Sequence, residues 1–182
     1  FMQDLIRGIK KIAQKETPAP AASSAASASG GSAPLLKRAF LFLEDGDWQE
    51  ADVYCEKVLD IDPENAQAYL GKLMAELKVR RRDELKNCAE PFDGSGNYQK
   101  AFRFGDASLK EQLSGCIAFI NERNENARKT GIYNDAAKAM NSAATEAQFN
   151  AATEKFRSIS GFEDADALAE ECMKRAEERR LE

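Results

Sequence analysis

Four thiols, several adjacent carboxylate pairs and a run of three arginines are the side chains with most chemistry to offer. Cys55, Cys88, Cys116 and Cys172 are scattered without a C-x-x-C pair, and the chain contains no histidine. Metal sites need closely spaced soft or imidazole ligands, so no metal and no other cofactor is expected. Without His the commonest general base is missing, and Ser-His or Cys-His pairs are excluded. Glu44-Asp45, Asp83-Glu84 and Glu170-Glu171 are neighbours in sequence. Adjacent side chains on a helix diverge, which suits solvated faces and caps rather than a matched acid and base. Gly94-Ser95-Gly96 lacks the following Lys-Ser/Thr of a phosphate loop. The chain is therefore expected not to be an enzyme.

What remains is a capacity to bind. Arg80, Arg81 and Arg82, with Lys78 beside them, form the one dense basic cluster. Guanidinium groups pair bidentately with carboxylate or phosphate, so an acidic partner or anionic headgroups would suit it. The structural alternative is local: Asp83 and Glu84 follow directly, and arginine near a helix C-terminus complements the helix dipole. Cys88 is the thiol expected to be exposed.

The 182 residues are 43% hydrophobic and 31% charged, with 5 Pro and no long β-branched alternation. That composition predicts an all-α chain large enough for one packed domain with tails. The formal net charge of −5 gives no general attraction to nucleic acid. Buried, reduced thiols favour a reducing compartment, hence the cytoplasm. No apolar run reaches the roughly 18 residues of a membrane span. A first residue Phe1 and a helical pattern running out at the C-terminus read as a piece of something longer.

The elements that must position these residues are helices. Residues 1–16 place Met2, Leu5, Ile6, Ile9, Ile12 and Ala13 on one face, with Arg7, Lys10, Lys11 and Lys15 around them. Such a basic amphipathic helix can lie on an anionic membrane, dock on a partner, or pack on its own domain. Residues 17–33 are rich in Ala, Ser, Gly and Pro and hold nothing large to bury, which predicts a flexible tether. The folded domain, 34–182, is expected to begin at Pro34. Its first helix carries Leu35, Leu36, Ala39, Phe40, Phe42 and Leu43 and stops at Gly46. Asp47 then caps a second helix, with Glu50 completing an acidic capping box. Asp62-Pro63 is read as the cap and first position of a third helix, through Tyr69, Leu70, Leu73, Met74 and Leu77. Asp106 starts a long helix whose polar end, residues 121–129, reads as a solvated face. Thr130-Gly131 is expected to break it. Thr145 and Gln148 form a capping box for the next helix, and Ser160-Gly161 turns into the last.

Small Ala39, the turn Gly46-Asp47-Trp48, small Ala51 and the ending Leu59-x-x-Asp62-Pro63-x-Asn65 resemble a tetratricopeptide repeat, whose period is about 34 residues. Gly96-Asn97-Tyr98 and Ala101 resemble the same turn in a degenerate second repeat with an inserted loop. Residues 148–172, with the 35–48 region, resemble uncharacterised tetratricopeptide-like proteins of Gram-positive bacteria. The resemblance implies stacked antiparallel helical hairpins, a tetratricopeptide-like α-solenoid, and no assigned activity. In that family the first helix of each pair lines a concave groove. Here this gives Leu36, Phe40, Leu43 and Glu44, then Leu70, Met74, Leu77 and Lys78. The groove so implied is mostly apolar, and either accepts a peptide or helix from a partner protein or is covered by the chain's own later helices. The function expected is a non-catalytic protein–protein interaction or scaffolding module. The alternative is a peripheral membrane adaptor anchored by residues 1–16.

Overall fold

The computed structural model of the chain describes residues 29–181. The amphipathic segment 1–16, and the membrane reading that rests on it, lie outside the described residues. Within them every regular element is helical: α1 Ser29–Asp45, α2 Trp48–Ile61, α3 Ala66–Glu76, a 3-10 turn Arg82–Asn87, α4 Gly96–Phe104, α5 Ala107–Ser142, α6 Glu146–Arg157 and α7 Ala165–Leu181. None of the described helices is long and apolar enough to cross a membrane.

α1 begins at Ser29, five residues before the expected start, and Pro34 lies inside it. Part of the tether reading thus fails, and its size argument with it: Ser32 is small, yet only 5% exposed. The α1–α2 turn follows its sequence signals closely. Gly46 adopts φ +82° and donates to the Leu43 carbonyl, while the Asp47 amide donates to Phe42. That pair of bonds closes a helix whose next residue is left-handed, which only glycine does without strain. Asp47 accepts from the Glu50 amide at 3.2 Å. The capping box is half made, because the Asp47 N–H is already committed to Phe42. At the next junction the cap is Asn65 rather than Asp62. Asn65 Oδ1 accepts from the Ala68 amide, and Asp62 holds the Asn65 side-chain amide at 3.0 Å.

α1 packs on α2, α2 on α3, α3 on α4, and α1 also reaches α3. Ala39, Cys55, Val58 and Ala68 form a small core among α1, α2 and α3, and other buried residues of α1–α4 join α5 in one large core that includes Leu43, Leu70, Leu73, Met74, Leu109, Leu113 and Ile120. A second core, built on Phe156, Ile159, Met140 and Cys172, joins the far end of α5 to α6 and α7. α6 packs on α5 and α7 on α6, with no substantial packing of either against α1–α4. The expected break at Thr130-Gly131 does not occur: α5 runs unbroken for 36 residues, about 54 Å. A glycine inside a helix costs only about 1 kcal/mol. Thr130 also satisfies its hydroxyl on the Asn126 carbonyl at 2.8 Å, keeping the local bonding helical.

Candidate functional site

The connection between α3 and α4, expected from the sequence to be an inserted loop and called the insertion on that account, covers part of the α3 face where a groove was expected. α3 ends at Glu76 with Leu77 as its C-cap, and Lys78 follows in the left-handed region at φ +55°. There the Lys78 and Val79 amides donate to Ala75 and Met74, closing the helix much as Gly46 closes α1. The 3-10 turn packs on α5, and Leu85, 2% exposed, joins the core with Val79 and Phe92. Leu85 lines a small void of about 20 Å³ together with Leu70, Leu109 and Leu113. The insertion therefore fills the place where an open groove over α3 was expected.

Leu43, Leu70 and Met74 have no exposed surface and are core residues, a correction to their reading as contact residues. Leu77 is half-buried and lines a separate depression with residues of the insertion. Lys78 is exposed and spends its backbone on the helix end. Leu36, Phe40 and Glu44 remain on an open cleft of about 550 Å³ along α1, with Lys37, Leu41 and Gln67. The other side of the insertion borders a second cleft, about 620 Å³, with Asp83, Lys86, Gln112, Gly115, Cys116 and Phe119. Arg82 lines both clefts and roofs the void between them. Leu41 is 50% exposed in the first cleft and Phe119 48% in the second. Val53, Ile61, Met173 and Leu181, also exposed apolar side chains, line neither.

The three arginines do not act as one cluster. Arg80 lies over the α1–α2 turn, where a Cβ on Gly46 would come within 3.1 Å of its Nη2. Arg81 pairs with Asp83 at 3.2 Å, with both side chains about two-thirds exposed. Such an ion pair contributes at most about 1 kcal/mol. Arg82 alone turns toward the clefts. Its guanidinium stacks 5.1 Å from the centre of the Phe40 ring, and its Nη2 donates to Gln67. The side chain keeps an exposed face, while surrounding protein lowers its pKa against the pull of Asp106. It remains a cation at any physiological pH.

Comparison with protein-family models, curated proteins and solved structures finds no match to this chain. The site is therefore read from its geometry.

Arg123 and Asn124, expected on a solvated face, instead hold the α3–α4 connection in place. Arg123 donates to the carbonyls of Lys86, Cys88 and Ala89, the Cys88 bond being 2.5 Å, and Asn124 donates to Ala89 at 2.8 Å. Together they tie the insertion to α5 and fix where the 3-10 turn presents Arg82. Their polar surroundings in sequence carried no signal of this, because the bonds go to backbone carbonyls some 35 residues away. Cys88, expected to be exposed, is half-buried. Burial raises its thiol pKa despite nearby Arg123, so it is not activated. Burial also raises the thiol of Cys116, at the edge of the second cleft. Among the described residues no three His, Cys, Asp or Glu side chains are grouped to hold a metal.

Proposed function

We propose that this chain is a non-catalytic protein–protein interaction module, a scaffold that grips an apolar peptide or amphipathic helix across the two clefts beside Arg82. The observation that carries the reading is the placement of Leu41 and Phe119, both about half exposed, in clefts that share one residue. Two apolar anchors flanking a polar centre suit a segment that buries two side chains and leaves its backbone solvated. The packing of α1 on α2, α3 on α4 and α1 on α3 supports a tetratricopeptide-like pairing of helices. In that reading the insertion closes part of the groove, and the occupant crosses its two remaining openings. Affinity capture with the full chain and a Leu41→Glu/Phe119→Glu variant tests it. Both side chains are substantially exposed, so the variant is expected to melt like the parent. A partner held by the parent and lost by the folded variant supports the reading. A partner held equally by both places the contact elsewhere and overturns it.

A further inference from the structure

Charge at the clefts points to a particular occupant. Lys37 lines the first cleft, Lys86 the second, and Arg82 both. None of the three forms an ion pair among the described residues. Of the two carboxylates lining the clefts, Asp83 is engaged by Arg81, leaving Glu44; Asp106, outside the lining, also attracts Arg82 without forming an ion pair with it. This is a local cationic excess on a chain whose formal net charge is −5. Arg82 is also pre-set for an anion. One nitrogen is anchored to Gln67 and the plane rests on Phe40, while Nε and Nη1 donate to no described residue. A guanidinium held in place by packing forfeits little freedom when a carboxylate accepts from its remaining N–H groups. The turn that carries it is itself held by Arg123.

We infer that the occupant is acidic and amphipathic: a partner segment with an Asp or Glu side chain set between two apolar anchors, its carboxylate on Arg82 and its anchors at Leu41 and Phe119. The inference rests on the proposed function above and names the partner's chemistry. The chain's own residues 1–16, with Arg7, Lys10, Lys11 and Lys15, carry the wrong charge for this rim.

The test is selection of random 12-residue peptides displayed on phage, with the immobilised full chain as bait. The enriched peptides are then synthesised and titrated against the parent and its variants. The expected result is a motif with Asp or Glu between two apolar residues, bound more weakly at high salt. Arg82→Gln should weaken that binding about 10–100-fold, and Arg82→Lys by an intermediate factor because it keeps charge but loses the fork. Melting curves check that each variant stays folded. Enriched peptides that need Leu41 and Phe119 but lack an acid, and that bind Arg82→Gln as well as the parent, overturn the acidic occupant while the cleft reading stands. Absence of any peptide dependent on Leu41 and Phe119 overturns both. A synthetic peptide of residues 1–16 that displaces the selected peptides also overturns the inference, since the rim would then prefer a basic helix.

Discussion

A Cβ on Gly71 would fall 2.5 Å from the Cys55 sulfur, closer than any real contact. Both residues are buried, so neither α2 nor α3 has an easy way to yield. Gly71→Ala is expected to lower stability by about 1–3 kcal/mol despite the better helix propensity of alanine. In the Cys55→Ala background the same change should cost little, and a double-mutant cycle by urea denaturation reads the coupling directly. The same burial governs the thiol's ionisation. Desolvation, with Asp52 adding and Lys72 opposing, pushes Cys55 from its ordinary 9.0 up to about 12. The folded state therefore holds the proton more tightly than the unfolded chain. This contribution is fully present below pH 9 and is lost as pH rises from 9 toward 12. Urea midpoints measured across pH 8.5–11 should fall more steeply for the parent than for Cys55→Ala, by the equivalent of one proton. Equal slopes would show that Cys55 titrates normally. Lys72 meets Asp52 at 2.7 Å and Glu56 at 2.5 Å from an almost buried position, joining α3 to α2.

Among the elements, the insertion and α5 hold each other in place. Arg123→Met removes the donors to three carbonyls of the insertion and should cost about 1–3 kcal/mol. Amide exchange of residues 84–90 should accelerate in the variant, while α1 and α2 keep their protection. Unchanged exchange there would mean that Leu85 and Phe92 alone hold the segment. α5 invites the opposite change. No residue from 121 to 135 is fully buried, and a Cβ on Gly131 meets nothing within 4 Å. Gly131→Ala is expected to stabilise the chain by about 0.5–1 kcal/mol, seen as a higher melting temperature. A loss instead would show that α5 depends on flexibility at this point.

At the scale of the molecule, two cores share one helix. The clefts and Arg82 belong to the first core, while α6 and α7 rest on the second, around Phe156. Tyr133 stacks edge-on against Phe156 and Phe162, and its hydroxyl donates to Asp164 at 2.6 Å. Phe156→Ala should remove about 3–5 kcal/mol from that half. Hydrogen exchange is expected to quicken in α6, α7 and the end of α5 while α1–α4 change little, because energy passes between the halves mainly along α5. Uniform loss of protection throughout the chain would instead show that the two cores unfold as one.

Much of this protein is decided locally and so was legible in the sequence. Period-3.6 apolar faces specified helices, glycine at a left-handed position specified the end of α1, and short polar side chains specified the caps Asp47, Asp106 and Thr145. The capping box of Thr145 and Gln148 formed as read, since both partners lie within one turn. What distant groups decide was not legible. Whether Gly131 ends a helix depends on the summed stability of 36 residues and the packing at both ends. The burial of Leu70 depends in part on an insertion whose Leu85 turns inward beside it, tied by an arginine some 35 residues downstream. Likewise, three consecutive arginines read as one patch until tertiary packing gave each a different neighbour: the Gly46 turn, Asp83 and the Phe40 ring. Local rules fixed the helices, and long-range packing chose which of their faces remain open.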